Sequence, residues 1–390
     1  MSSNITTPDE GVLVHGYDVY VHSVPRYLEE TDTSLAEYQK ENGQDVPLFS
    51  ERFLAAKRKR EESLKSDMAA KVHTMPGATS KQPFAKLFDL GNAKAAKNAR
   101  GKDIMCTVTS APAGYEDWVP DVDDNYVFHI DNLKAVMMAA ELNMTMLLWG
   151  FHGTGKTTLV EQFCSRTGRP WIRVQHTVST EESHILGQYV VKDGATVFEL
   201  GPLAIAMRDG LVYMADEYDF ALPSVTSVYQ PVLEGKPLVI KEAPPELRVI
   251  KPHPNFRFFA TGNTNGAGDE TGLYSGTQIM NAANYSRFGI TIEVTYMPAA
   301  QEVAVVAGQA KIHKDDADRL VKVANEVRGG FERGDMSTTI SPRELINAGK
   351  LARVMGVEPD LTKGLELAYC NRLDSTDKKA VLDFAQRHFG

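Results

Sequence analysis

The sequence is poor in cysteine and has no long unbroken apolar run. Its three cysteines, Cys106, Cys164 and Cys370, are too widely spaced for a disulfide framework or for the paired ligands of a zinc site. The longest apolar stretch, residues 136–151, is interrupted by Glu141 and Asn143, so nothing reaches the ~20 residues that span a bilayer. The first residues, MSSNITTPDEGV, carry an acidic pair and no basic residue ahead of an apolar run, unlike a secretory signal. A reduced, cytoplasmic setting without a membrane is expected.

What is present is the composition of a globular chain, 43% hydrophobic and 24% charged, which excludes a charge-dominated disordered protein. Charge is unevenly placed. Residues 1–51 carry ten acids and two bases, whereas residues 52–102 carry thirteen bases and four acids. Within the basic block, KRKREE (57–62) and KAAKNARGK (94–102) suit a phosphate backbone or an acidic partner, or else a solvated helix and tether. The second stretch has no aromatic residue, which disfavours stacking on single strands.

Punctuation divides the chain. Two turn-rich connectors, HTMPGATSKQP (73–83) and TSAPAGYEDWVP (109–120), set off an N-terminal extension, residues 1–110. From Asp121 apolar strands alternate with helices, the pattern of a parallel sheet flanked by helices. After TYMP (295–298) apolar positions recur at helical spacing. The expectation is therefore an α/β domain over 111–297 and a small helical domain over 298–390.

One stretch carries chemistry. Gly150, Gly155, Lys156 and Thr157 satisfy G-x-x-x-x-G-K-[ST], with the apolar MLLW ahead and the helical TTLVEQF behind. Glycine lets backbone N–H groups turn inward and approach a phosphate closely, and the helix N-terminus adds its positive end. The loop residues His152, Gly153 and Thr154 and the helix-opening Thr158 complete this cradle for a nucleoside triphosphate. Lys156 would reach the outer phosphates, and Thr157 would ligate Mg²⁺.

Sixty residues on, GLVYMADEYD ends an apolar strand in Asp216 and Glu217. An acid at such a tip can hold the metal, and its neighbour can polarise an attacking water. NFRFFATGNT ends a further apolar strand at Asn263, an amide able to orient that water. Arg287 in NYSRFGI and Arg343 in SPREL are candidate cations for the transferred phosphate.

Taken in order, the phosphate loop, ADEYD, ATGNT, SRF and SPREL resemble the AAA+ ATPases of the MoxR clade. The segments DEYDFALPSVTSVYQPVLEG and GDETGLYSGTQIMN are similar to the CobS family, the AAA+ subunits of aerobic cobaltochelatases. This likeness runs from about residue 119 to the C-terminus. It implies ATP as the triphosphate, an AAA+ fold with a helical lid and a ring of copies, a hexamer in the family's manner. Lys156 and Thr157 would serve phosphate and Mg²⁺, Asp216 and Glu217 the metal and water, and Asn263 would be the first sensor. Arg287 would be a finger reaching a neighbouring copy, and Arg343 the second sensor. Partners implied are an adhesion-domain (CobT-like) subunit and the large chelatase subunit, acting on cobalt insertion into a corrin ring. Asp193-Gly194 has the chemistry of a two-residue hairpin turn. By resemblance the hairpin over 185–201 and the insertion over 234–256 are partner surfaces, and Tyr126 to Phe128 lie beside the adenine.

Two other functions fit the same residues. One is a remodeller of a different client, nucleic-acid-associated through the basic block. The other is a nucleotide-gated scaffold with little turnover, against which the intact Glu217 argues.

Overall fold

In the computed structural model, the described residues are 79–390 except 92, 270, 356 and 357, together with a short antiparallel pair, Leu13–Val14 with Tyr17–Asp18. KRKREE and the first connector up to residue 78 lie outside them. Strands β1 (Thr79–Pro83) and β2 (Met105–Thr109) pair antiparallel. Helix α1 (Ile130–Leu142), β3 (Met146–Trp149), α2 (Lys156–Thr167) and β4 (Trp171–Gln175) follow. Then come the ribbon strands β5 (Gly187–Lys192) and β6 (Ala195–Leu200), α3 (Pro202–Asp209), β7 (Val212–Asp216) and the two-residue pair β8 (Leu238–Val239) and β9 (Val249–Ile250). β10 (Arg257–Gly262), α4 (Ala282–Tyr285) and β11 (Ile290–Glu293) complete the sheet region.

Five of these strands form one parallel sheet in the order β11-β3-β10-β7-β4. MLLW, VYMAD and RFFATG are almost wholly buried, as expected of strands covered on both faces. From β3 the chain crosses to the edge strand β4, returns inward through β7 and β10, and then places β11 on the other side of β3. The C-terminal tips of β3, β10 and β7 therefore lie side by side, where open parallel sheets bind ligands.

The α/β core reaches further back in the chain than residue 111. Phe84, Phe88 and Cys106 are buried in the cluster that holds α1, α2 and β3, and the Phe88 ring lies 5.2 Å from Phe128 and 5.9 Å from Phe163. Phe84 and Phe88 are four residues apart, which sets both on one helical face; the surrounding lysines conceal that pattern in sequence. Lys94, Lys97, Arg100 and Lys102 are all exposed.

The C-terminal part is helical: α5 (Ala299–Ala310), α6 (Lys314–Glu332), α7 (Pro342–Val354), α8 (Leu361–Ala368) and α9 (Ser375–Phe389). These helices share their own core around Leu320, Val327, Leu345 and Leu365. Pro342 opens α7, and the Glu344 carboxylate accepts the Ser341 N–H at 2.5 Å, satisfying a donor that a helix start leaves orphaned.

The β5–β6 ribbon turns at Asp193 (φ 50°) and Gly194 (φ 74°), the two left-handed positions that a tight hairpin of this hand needs. Tyr189 packs edge-on against Phe198, and Lys192 pairs with Glu199. Among the described residues no helix is long and apolar enough to cross a membrane.

Candidate active site

The loop between β3 and α2 is shaped by glycine. Gly150, Gly153 and Gly155 all have positive φ (139°, 71° and 86°), a region that side-chain-bearing residues rarely adopt. A Cβ on Gly153 would collide with Ser341, immediately before α7. The helical domain thus touches the loop at a point only glycine permits. Thr154 Oγ1 donates to Phe151 O at 2.8 Å and tightens the turn.

Lys156 is 8% exposed. Its Nζ donates to Gly150 O at 2.7 Å, to Phe151 O at 2.8 Å and to Asn263 Oδ1 at 3.4 Å. The ammonium is therefore folded back on the carbonyls of its own loop, with the β10 tip as third partner. Burial lowers its pKa to about 8, against the opposing pull of Asp219, Asp216 and Glu217.

At the β7 tip Asp216 is almost fully buried. Its Oδ1 accepts from Thr157 Oγ1 at 2.7 Å and Thr261 Oγ1 at 2.5 Å; its Oδ2 accepts from Arg173 Nε at 2.7 Å. Burial alone would push this carboxyl up, but the hydrogen bonds from Thr261 and Thr157 and the Arg173 guanidinium together hold it below the usual range. Glu217 follows with φ 53°, so the chain turns out of the sheet there and the two adjacent acids both stay near the crevice. Gln175 Nε2 donates to Glu217 Oε2 at 2.8 Å, and the Glu217 N–H donates to Thr261 Oγ1 at 3.0 Å.

Asn263 is held from below. Asp219 Oδ2 accepts the N–H of Asn263 at 2.8 Å, the N–H of Thr264 at 2.9 Å and Thr264 Oγ1 at 3.0 Å. Its other oxygen, Oδ1, is buried without a partner.

Comparison with known proteins follows the same order of parts. Residues 145–288 match the AAA domain of the dynein-related subfamily, and residues 302–382 match the CbbQ/NirQ/NorQ C-terminal domain. The aerobic cobaltochelatase subunit CobS of a Sinorhizobium species is 36% identical over 284 residues, covering 70% of this chain and 83% of CobS. This chain belongs to the MoxR-type AAA ATPases, in the company of CobS. Protein NorQ of Paracoccus denitrificans is 28% identical over 262 residues, covering 67% of this chain and 92% of NorQ. Midasin of Dictyostelium discoideum is 29% identical over 202 residues, covering 51% of this chain and 3% of midasin.

The crevice of this AAA ATPase fits a magnesium nucleotide. A glycine loop at a helix N-terminus is the setting in which backbone N–H groups meet phosphate, Lys156 is a buried cation beside it, and Thr157 with Asp216 is a hydroxyl and carboxylate already in contact. Around Gly155 the hydroxyl of Tyr126 comes close. Phe128 is instead spent on the core, 5.2 Å from the Phe88 ring and under the Arg166 guanidinium. His152 lies on the loop with its ring beside Tyr274, while Thr158 sits half-buried in the first turn of α2.

The arginines divide. Arg343 is exposed in the first turn of α7, close enough for its charge to lower the pKa of both Lys156 and His152. Arg287 is not in this crevice's network. Its Nε donates to Glu234 Oε1 at 2.7 Å and its Nη1 to Ala283 O at 2.5 Å.

Arg173, Gln175, Asp219, Thr261 and Tyr274 escaped the reading of the sequence. Arg173 and Gln175 are two apart at the tip of β4, which sets them on one face, but that strand's place beside β7 is a property of the sheet order. Asp219 was legible only as a third acid in DEYD.

The lowered pKa of Lys156 yields a test. A bound polyphosphate favours the charged ammonium, so above pH 8 binding draws in a proton. ATP affinity is expected to fall about tenfold per pH unit between pH 8 and 10. Calorimetry in two buffers of different ionisation heat reads the proton uptake. An affinity flat across that range would show that the Lys156 ammonium of the free protein keeps its proton well above pH 8.

Proposed function

We propose that this ATPase is the motor of a cobaltochelatase-type complex, hydrolysing ATP to remodel partner subunits during metal insertion into a corrin ring. The observation that carries the reading is the convergence of Lys156, Thr157, Asp216 and Asn263 at three neighbouring strand tips, in a chain similar to CobS over 70% of its length.

Each residue has a part in the reaction. Lys156 and the loop amides would neutralise the phosphates, and Thr157 with Asp216 would hold Mg²⁺, which would supply divalent charge to offset the charge of the reacting phosphate. Asn263 orients the attacking water and Glu217 accepts its proton. Arg343 approaches from the helical domain, so its position and the state of the crevice are linked through the Ser341–Gly153 contact. Arg287, tied to Glu234 outside its own crevice, serves the crevice of a neighbouring copy. That division of labour calls for a homo-oligomer in which copies meet head to tail, and the resemblance to the AAA+ family makes it a ring, a hexamer. Partners are an adhesion-domain subunit and the large chelatase subunit.

A different client is the second reading, favoured by the match of residues 302–382 to the CbbQ/NirQ/NorQ C-terminal domain. Its nucleic-acid variant would use the exposed Lys94–Lys102 stretch. The deciding experiment combines this chain with an adhesion-domain subunit and a large chelatase subunit, and follows ATP turnover and cobalt uptake by a corrin substrate. Stimulated turnover with metal insertion is expected. Turnover by the chain without any metal insertion would keep the motor and transfer the client to the second reading.

A further inference from the structure

Between Asn263 and Arg287 runs a loop, residues 268–281, whose base is closed by two backbone hydrogen bonds. The Met280 N–H donates to Gly266 O at 2.9 Å and the Gln278 N–H to Asp219 O at 2.7 Å. Near its start the Asp269 carboxylate accepts the N–H of Thr271 at 2.8 Å and of Tyr274 at 2.6 Å. These bonds hold the backbone that carries Tyr274.

Tyr274 is 9% exposed and reaches the phosphate loop. Its Oη accepts the backbone N–H of His152 at 3.0 Å and lies 3.2 Å from His152 Nδ1. Burial pushes the phenol up to about 12, so the hydroxyl keeps its proton at working pH. Tyr274 also lines a cavity of about 180 Å³ with Gly150 and Phe151 of the phosphate loop and with Asn263. A buried tyrosine whose oxygen already accepts one N–H still has a proton to give, and a phosphate oxygen is a far stronger acceptor than a neutral imidazole nitrogen.

We propose that Tyr274 is a binding residue for the terminal phosphate: its hydroxyl accepts the His152 amide and donates its own proton to the outermost phosphate of the nucleotide. This rests on the ATP reading of the crevice. The contact makes the loop's seat depend on whether a third phosphate is present, and the same loop leads directly into α4 and Arg287. Nucleotide state in one crevice is thereby passed toward the arginine offered to the next.

The test is the ratio of ATP to ADP affinity in Tyr274→Phe, which keeps the ring and removes the hydroxyl. Displacement of a fluorescent nucleotide should show ATP bound roughly 10–150-fold more weakly, the loss of a hydrogen bond to a charged group, with ADP within about twofold of the parent. Equal shifts for both nucleotides, or none, would overturn the proposal. Should the variant fail to fold, fluorotyrosine incorporated at position 274 in the intact chain gives a second readout. Its ¹⁹F resonance should move with a non-hydrolysable ATP analogue and stay in place with ADP; coincident shifts would overturn the proposal equally. A parent protein that binds neither nucleotide overturns the ATP reading itself, whereas ATP and ADP bound with an unchanged ratio overturns only the role of Tyr274.

Discussion

Glu217→Gln is expected to bind ATP within about twofold of the parent and to turn it over roughly 10²–10⁴-fold more slowly, the usual contribution of a positioned general base. The substitution is nearly isosteric. Gln175 Nε2 now donates to Glu217 Oε2, and the new amide offers an oxygen to the same donor. The Thr261 contact is made by the Glu217 backbone and is untouched, so the β7 tip keeps its shape. What disappears is a group that can take a proton. Binding by fluorescent-nucleotide titration and single-turnover hydrolysis separate the two effects. Unchanged hydrolysis would remove Glu217 from the chemistry, and a parent with no turnover at all would favour the scaffold reading.

The second large effect is expected in the helical domain. Arg328 of α6 forms a two-pronged ion pair with Glu302 of α5, both bonds 2.7 Å, with side chains 7% and 0% exposed. Its Nε donates to Ile340 O at 3.0 Å, and its guanidinium lies 3.9 Å from the centre of the Tyr296 ring. One side chain therefore joins the connector from the sheet, two helices and the residue just ahead of Ser341. Removing one partner of a buried pair leaves the other charged and desolvated, a loss of about 3–5 kcal/mol. Arg328→Met should lower the denaturant midpoint accordingly, whereas Glu302→Leu with Arg328→Met should recover most of it, because apolar replacement of both partners is close to neutral. A single variant as stable as the parent would mean that the pair contributes nothing.

These two sites meet at α7. Ile340, fixed by Arg328, precedes Ser341, which abuts Gly153 of the phosphate loop, and Arg343 follows two residues later. A loosened Arg328 site is therefore expected to weaken ATP binding as well as stability, read by nucleotide titration of Arg328→Met. The lever is rigid because its first turn is closed at Ser341 by Glu344.

Local chemistry was legible in the sequence because it depends on spacing within a short stretch. The phosphate loop needs glycines at fixed offsets and a lysine at the first helical position, and α2 does begin at Lys156. Apolar runs too short for helices and buried on both faces announced a parallel sheet, and the family followed from the order of the motifs. The Asp193-Gly194 turn was legible for the same local reason. Tertiary structure alone decided what stands beside what. The order β11-β3-β10-β7-β4 brings Thr157, Asp216 and Thr261 into contact and sets Arg173 and Gln175 of the edge strand against the two acids. It also seats Phe84, Phe88 and Cys106 in the α/β core and Tyr274 on the phosphate loop. No periodicity encodes those contacts, because pairing across a sheet joins residues more than forty positions apart and is selected by the packing of whole faces.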